Sequence, residues 1–207
     1  MEAKALNGLP ATVVGNDERD AAVATIVAAF GDDPVERWLY PELDAYRAHF
    51  PAFVAAFGAG AFEERTVWKL GDFAAVALWL GPGIAPDGAA IVGVLAETVS
   101  ADKHEDMFSV LDQMDRAHPA FPHWYLPWFG VRPELQGGGL GGRLMEHCLR
   151  FVDESGLPAY LETPNPRTIR FYERLGFEAV SVAAAGACPP VTSMLRRWHP
   201  TERSSRK

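Results

Sequence analysis

Cysteine is scarce in this 207-residue chain: there are two, Cys148 and Cys188. They lie far apart and form no CxxC or Cys/His spacing, which excludes a disulfide scaffold and disfavours structural zinc. His104, His118 and His123 show no ligand spacing either, so no metal is expected. Basic charge is also short, with 19 Lys and Arg against 27 Asp and Glu, a net −8. A nucleic acid or an anionic membrane needs a basic patch, so neither is expected as a partner, whereas a cationic partner is compatible. No apolar run reaches membrane-spanning length. Met1-Glu2-Ala3-Lys4 lacks the basic and apolar segments of a leader, and two reduced thiols fit the cytosol, so a cytoplasmic location is expected. Internal repeats and linkers are absent, which predicts a single domain over 1–207 with a polar tail fraying at about 200–207.

What is present is an ordinary globular composition, 48% apolar and 11% aromatic. A chain of this size buries a full core without staples. Ala11-Thr12-Val13-Val14 reads as a strand. A helix over 18–30 places Val23, Ile26, Val27 and Phe30 on one face. Asp32-Asp33-Pro34 makes a turn, and Trp38 and Tyr40 follow in the linker. A second helix spans 41–57, with Pro51 as a kink or break and Gly58 and Gly60 closing it. Segments 66–70 and 74–80 flank Gly71-Asp72 as a hairpin. Residues 91–99 fit strand or helix equally, and 105–117 is a helix. The second half alternates: strand 123–131, helix 140–155, strand 158–162, short helix 168–175, then strands 178–182 and 191–198. The order is a β-rich α/β meander.

The informative stretch is Gln136-Gly137-Gly138-Gly139-Leu140-Gly141-Gly142, which joins a strand to a helix N-terminus. Such a junction exposes unpaired N–H groups, and the aligned peptide dipoles favour an anion there. Glycine lets a ligand reach the main chain. The physical reading is a diphosphate cradle. Gly137-x-Gly139-x-x-Gly142 also fits the dinucleotide pattern, with Glu162 20 residues beyond Gly142 where a ribose-binding acid is sought. However, Arg132 to Gln136 intervene between strand and glycines, which is wrong for the tight first-glycine turn. A P-loop fails because no Gly-Lys-Ser/Thr follows. A plain surface loop would have to account for five glycines in six positions capping an amphipathic helix.

At these residues the chain resembles the GNAT superfamily of N-acetyltransferases. That family's acetyl-CoA loop, Gln/Arg-x-x-Gly-x-Gly/Ala, is matched by Gln136-Gly137-Gly138-Gly139-Leu140-Gly141, preceded by Val131-Arg132-Pro133. A second pattern, Asn-x(6)-Tyr-x(3)-Gly-Phe, is met by Asn165, Tyr172, Gly176 and Phe177. Further segments are similar to puromycin N-acetyltransferase-like members: Ala28-Ala29-Phe30, Asp33-Pro34, Ala75-Val76-Ala77-Leu78-Trp79-Leu80, Leu157 to Thr163, and Phe171 to Phe177. The likeness is thinnest between Gly81 and Pro122.

The resemblance implies an α/β (α+β) fold, a twisted, mostly antiparallel sheet with splayed central strands flanked by helices. It implies that acetyl-CoA enters between strands 123–131 and 159–162, pairing with Phe129, Gly130 and Val131, with Gly130 as the bulge where the splay begins. The diphosphate would rest on Gly137, Gly138, Gly139, Leu140, Gly141 and Gly142, beside Gln136, and Asn165 would touch the cofactor. Many members carry a basic residue where Gly138 stands. The reaction would be direct acetyl transfer to an amine, with a backbone N–H near Val131 facing the oxyanion. Tyr172 would hydrogen-bond the leaving thiolate, since a phenol near pKa ~10 is slightly mismatched for full transfer to a thiol near ~8.5. Some members place a glutamate where this chain has Tyr125. Glu162 then becomes the catalytic candidate, either as base or as ammonium anchor, with a water chain as a further route. Asp32, Asp33, Trp38, Tyr40 and Tyr125 would line the acceptor pocket, carboxylates and aromatics together suiting a cationic small-molecule amine. For each of them taken singly, helix termination or core packing explains the residue equally well.

The leading reading is thus an acetyl-CoA-dependent N-acetyltransferase acting on a small amine, including an antibiotic or toxic one. A catalytically silent CoA-binding sensor on the same fold is the alternative, motivated by the absent glutamate at 125. A nicotinamide oxidoreductase rests on glycine spacing alone.

Overall fold

A computed structural model describes residue 8 and residues 10–198, so the expected frayed tail lies outside the described residues. Seven strands form one sheet: β1 (Ala11–Val13), β2 (Val67–Leu70), β3 (Ala75–Leu80), β4 (Trp124–Val131), β5 (Ala159–Thr163), β6 (Glu178–Ala185) and β7 (Cys188–Arg196). Their order is β1-β2-β3-β4-β5-β7-β6. Every pairing is antiparallel except that of β4 with β5. The helices are α1 (Arg19–Ala29), α2 (Pro34–Leu39), α3 (Leu43–Glu63), α4 (Gly88–Thr98), α5 (His104–Ala117), α6 (Leu140–Glu154) and α7 (Pro166–Glu173). The mixed, mostly antiparallel architecture expected from the sequence is the one observed.

β3 explains how the layers stack. It reads Ala-Val-Ala-Leu-Trp-Leu, and all six residues are buried. Period two sends Val76, Leu78 and Leu80 to one face, where they join Ile26, Phe50 and Val54 of α1 and α3. Ala75, Ala77 and Trp79 point the other way, into a core with Leu144, Met145 and Cys148 of α6. A strand apolar on both faces belongs at the covered centre of a sheet. Each fully buried Val or Leu contributes about 1.5–3 kcal/mol.

β4 and β5 pair over three residues only, Trp124↔Ala159, Tyr125↔Tyr160 and Leu126↔Leu161. Beyond them the strands part, as expected, but the divergence starts earlier than Gly130. The β3–β4 register shifts between Leu78↔Trp128 and Leu80↔Tyr125, so β4 carries one extra residue near Leu126 and Pro127. Pro127 has no N–H to give a ladder, which suits it to that bulge. Gly130 stays in register with Val76. Its missing side chain instead admits α1, because a Cβ there would lie 2.6 Å from Ala29 Cβ.

Three local expectations change. α3 continues through Pro51, Gly58 and Gly60 to Glu63. The two glycines are contact points: a Cβ would come within 2.5 Å of Leu78 Cδ2 at Gly58 and of Ile84 Cγ2 at Gly60. The ambiguous 91–99 stretch is helical, started by Asp87, whose Oδ1 accepts the Ala90 N–H at 3.0 Å. The linker after Asp33 is a helix, α2, because Asp33 Oδ1 accepts the N–H of Val35 at 3.0 Å and of Glu36 at 3.4 Å, with Pro34 at the first helical position.

Gly130→Ala tests the close approach of α1. It is expected to destabilise the protein by about 1–3 kcal/mol, the cost of overpacking a rigid contact. A urea midpoint unchanged from wild type would show that α1 retreats freely.

Candidate active site

A cleft of about 900 Å³ lies where β4 and β5 part, walled by the end of β4, the glycine loop, α7 and the turn after α1. The Arg132 N–H donates to the Ala74 carbonyl at 3.0 Å, so Arg132 faces β3. Alternation along an antiparallel strand then turns the backbone N–H groups of Phe129 and Val131 toward the gap. Gln136 Nε2 donates to the Val131 carbonyl at 3.0 Å and ties the loop to the strand. Gly137 and Gly139 adopt positive φ, 76° and 83°. The Arg143 N–H closes the first helical turn on the Gly139 carbonyl. The amides of Leu140, Gly141 and Gly142 are therefore left without helical acceptors. No acid occupies the first turn of α6. A Cβ added at Gly137, Gly139 or Gly142 would meet nothing within 4 Å, so the main chain there is open to a ligand. These features fit a diphosphate.

Of the expected cofactor residues, Phe129, Gly130, Val131, Gln136, Gly137, Gly139, Leu140, Gly141, Gly142, Asn165 and Tyr172 line the cleft, and Gly138 does not. Asn165 caps α7, its Oδ1 accepting the Arg167 N–H at 3.0 Å. Phe171 stacks on Phe129 with ring centroids 5.7 Å apart and planes 3° from parallel, which fixes α7 across the gap from β4. Tyr172, next in sequence, is buried against the cleft. Burial first, and the charge of Asp33 second, raise its phenol above the usual range, so the hydroxyl stays protonated as a donor.

Asp32 and Asp33 line the same cleft. Asp32 is exposed. Asp33 is 7% exposed, and burial raises its carboxyl to about 6 against the opposing pull of the Glu36 and Val35 N–H groups.

A second cavity, of about 100 Å³, lies beyond the cleft. Phe53, Phe57, Leu95, Met107 and Trp128 make it apolar, and two carboxylates, Glu36 and Glu162, interrupt that lining. Glu162 lines both cavities. Its Oε2 accepts the Tyr125 hydroxyl at 2.6 Å. Its Oε1 lies 3.9 Å from His118 Nδ1, and His118 Nε2 is 3.0 Å from His123 Nε2. Tyr125 lines the small cavity.

Trp38 and Tyr40 line neither cavity. Formation of α2 carries them elsewhere. Tyr40 sits in the core with its hydroxyl 2.8 Å from Thr98 Oγ1, and Trp38 packs with Val110 and Val191 under Lys103. Glu36 was missed in the sequence. Its signal was an acid spaced three and four residues before Leu39 and Tyr40, on the inward face of a helix.

Comparison with known proteins identifies the family and the fold. The model of the acetyltransferase (GNAT) family matches residues 42–177. An uncharacterized N-acetyltransferase of Schizosaccharomyces pombe is 29% identical over 172 residues, 75% of this chain and 69% of that protein. The crystal structure of histone acetyltransferase HPA2 and related acetyltransferase from Corynebacterium glutamicum superposes with a TM-score of 0.65 at 22% identity, covering 94% of this chain and 98% of the other. A mosquito arylalkylamine N-acetyltransferase like 5b gives 0.62 at 17% identity, covering 91% and 99%. At these identities the solved structures speak to the fold alone.

The buried carboxyl of Asp33 makes a stability prediction. Its folded pKa, about 6, lies above the unfolded value, so the folded state binds the proton more tightly. Stability from this group is present at pH 4 and is lost as pH rises through 6, by an amount on the order of 2–3 kcal/mol. Asp33→Asn keeps an acceptor for both N–H groups and is expected to flatten that slope and raise the melting temperature at pH 7. An unchanged slope between pH 4 and 7 would contradict the burial argument.

Proposed function

The chain belongs to the GNAT acetyltransferase family, an acyltransferase family, and on that premise we propose that it transfers an acetyl group from acetyl-CoA directly to the amine of a small molecule. The observation that carries the reading is convergence. The glycine loop, the free edge of β4 and Tyr172 line one cleft, and that cleft shares Glu162 with an apolar pocket. Acetyl-CoA, when bound, supplies an activated acetyl thioester. The amides of Gly137, Gly139, Leu140, Gly141 and Gly142 would hold its diphosphate, and the gap-facing N–H groups of Phe129 and Val131 would receive its arm as an added strand would. The Val131 N–H also serves as the donor to the acetyl carbonyl oxygen.

An ammonium has no lone pair, so a base must remove a proton. Asp33 takes that role in the proposal, because its carboxyl titrates near 6 and borders the cleft beside Tyr172. Glu162, already accepting from Tyr125, orients the amine at the junction of the two cavities. Tyr172 would hydrogen-bond the departing thiolate: its raised pKa keeps the O–H in place as a donor but disfavours full proton transfer, so the thiolate takes its proton from solvent. The silent-sensor alternative drew on the missing glutamate at 125. Here Tyr125 hands its hydrogen bond to Glu162, and carboxylates reach the site from other elements. The likeness to puromycin N-acetyltransferase-like members rests on the quoted segments and leaves the acceptor open. No described helix is long and apolar enough to cross a membrane; a cytoplasmic site of action is part of the proposal.

Calorimetry with acetyl-CoA and thiol release on an amine panel test the reading. No cofactor binding at high micromolar concentration would end it. Tyr172→Phe is expected to lower turnover with acetyl-CoA affinity nearly intact, and lost affinity would make Tyr172 structural. Asp33→Asn is expected to cut turnover by roughly 10²–10⁴-fold, the usual worth of a general base. It should also abolish the rise of kcat/KM with pH through about 6; a surviving rise would move the role to another group.

A further inference from the structure

We infer that the acceptor carries a second cationic group, separated from the reacting amine by a short apolar spacer, and that Glu36 binds that second group. The inference rests on the acetyl-transfer reading above and adds the chemistry of the acceptor. Glu36 stands on α2, one helical turn after Asp33. It is 4% exposed, and its Oε2 is buried with no hydrogen-bond partner. Among the described residues, no Lys, Arg or His forms an ion pair with it. Burial first, and the like charge of Asp33 second, hold the Glu36 carboxyl well above the usual range, and the groups it acts on in turn, Tyr40, Tyr46 and Cys188, are not cations. Nor does Glu36 complete a capping box, since the Asp33 N–H it would serve already donates to the Phe30 carbonyl at 3.0 Å.

A carboxyl buried without a partner is costly, and packing alone would favour Leu or Met at such a site. The group that would offset the cost is a cation delivered by a ligand, and the cavity bordering Glu36 is where a ligand would arrive. Position tells the two carboxylates apart. Glu162 borders both the cofactor cleft and the small cavity, so the reacting amine lies at its end. Glu36 borders only the small cavity, so whatever it holds is remote from transfer. The same cavity is walled by Phe53, Phe57, Met107 and Trp128, which suit methylenes or a small ring. About 100 Å³ limits that spacer to a few carbons. A simple monoamine would leave Glu36 without a cation to ionise against, and an acceptor with an anionic tail would gain no charge pair there.

The test compares 1,4-diaminobutane with n-butylamine on the full chain saturated with CoA, by calorimetry, so that no turnover is needed. Wild type is expected to bind the diamine roughly 30-fold or more tighter, the scale of a desolvated charge pair. Glu36→Gln should erase most of that preference, and Glu36→Leu should reverse it toward butylamine. Equal binding of the two amines by wild type would overturn the inference without recourse to any variant. So would a preference that survives in both variants. Thiol release from acetyl-CoA separates the two readings. A diamine preference with no release from any amine would sink acetyl transfer and leave the Glu36 assignment standing. Release from monoamines with no diamine preference would sink the Glu36 assignment alone.

Discussion

At Pro127 strand β4 gives up its neighbour, and the rest of the site is arranged around that loss. Up to Leu126 the strand is hydrogen-bonded on both edges, to β3 and to β5. One extra residue and a missing N–H end the second ladder, while the first continues to Val131. A strand edge opened beside a cleft offers N–H and C=O groups with which an extended ligand can pair. The glycine loop lies at one end of the opened edge, and α7 lies across it. Phe129 makes the connection: its backbone N–H faces the gap, while its ring is stacked on Phe171, the residue before Tyr172. A shift of β4 would therefore move the backbone donors and the phenol together.

The acceptor side obeys a different constraint. Its walls are side chains, and in an apolar enclosure each charge is felt strongly because little water screens it. Three acids face this region from two elements: Asp33 and Glu36 from the start of α2, Glu162 from β5. Their surroundings differ. Asp33 receives two backbone N–H groups, Glu162 receives a phenol, and Glu36 has an oxygen with no donor. The same residue chemistry is thereby given three electrostatic characters. Behind Glu162, His118 and His123 lead toward the surface through a contact of 3.0 Å between their Nε2 atoms.

Much of this was legible in the sequence where the signal was local. Five glycines before an amphipathic helix state a backbone requirement, and backbone requirements survive tertiary packing. The Asn165 to Phe177 pattern is legible for the same reason: a cap, a helix of fixed length and a glycine at positive φ set where Tyr172 falls. What was hidden depends on partners distant in the chain. Gly130 looked like the bulge that starts the splay because its reason, Ala29 of α1, lies about a hundred residues earlier. Gly58 and Gly60 looked like helix ends because Leu78 and Ile84, which need the space, come later. Trp38 and Tyr40 looked like pocket walls until Asp33 and Pro34 started a helix that turned them toward Val110 and Thr98.

Glu36 shows why the hidden part is the part that sets specificity. On the proposed reading the cofactor would be gripped mainly by main chain, and main-chain groups are the same whatever the side chains, so that grip depends little on side-chain identity outside the glycines and Gln136. The acceptor cavity is made of Phe, Met, Trp and two acids drawn from α2, α3, α5, β4 and β5. Its shape and charge change with single substitutions that leave the sheet untouched. One fold can thus keep its donor end and exchange its acceptor end. A buried acid without a partner runs against stability. Its presence beside an apolar cavity is what the proposed ligand-imposed requirement would look like in a structure.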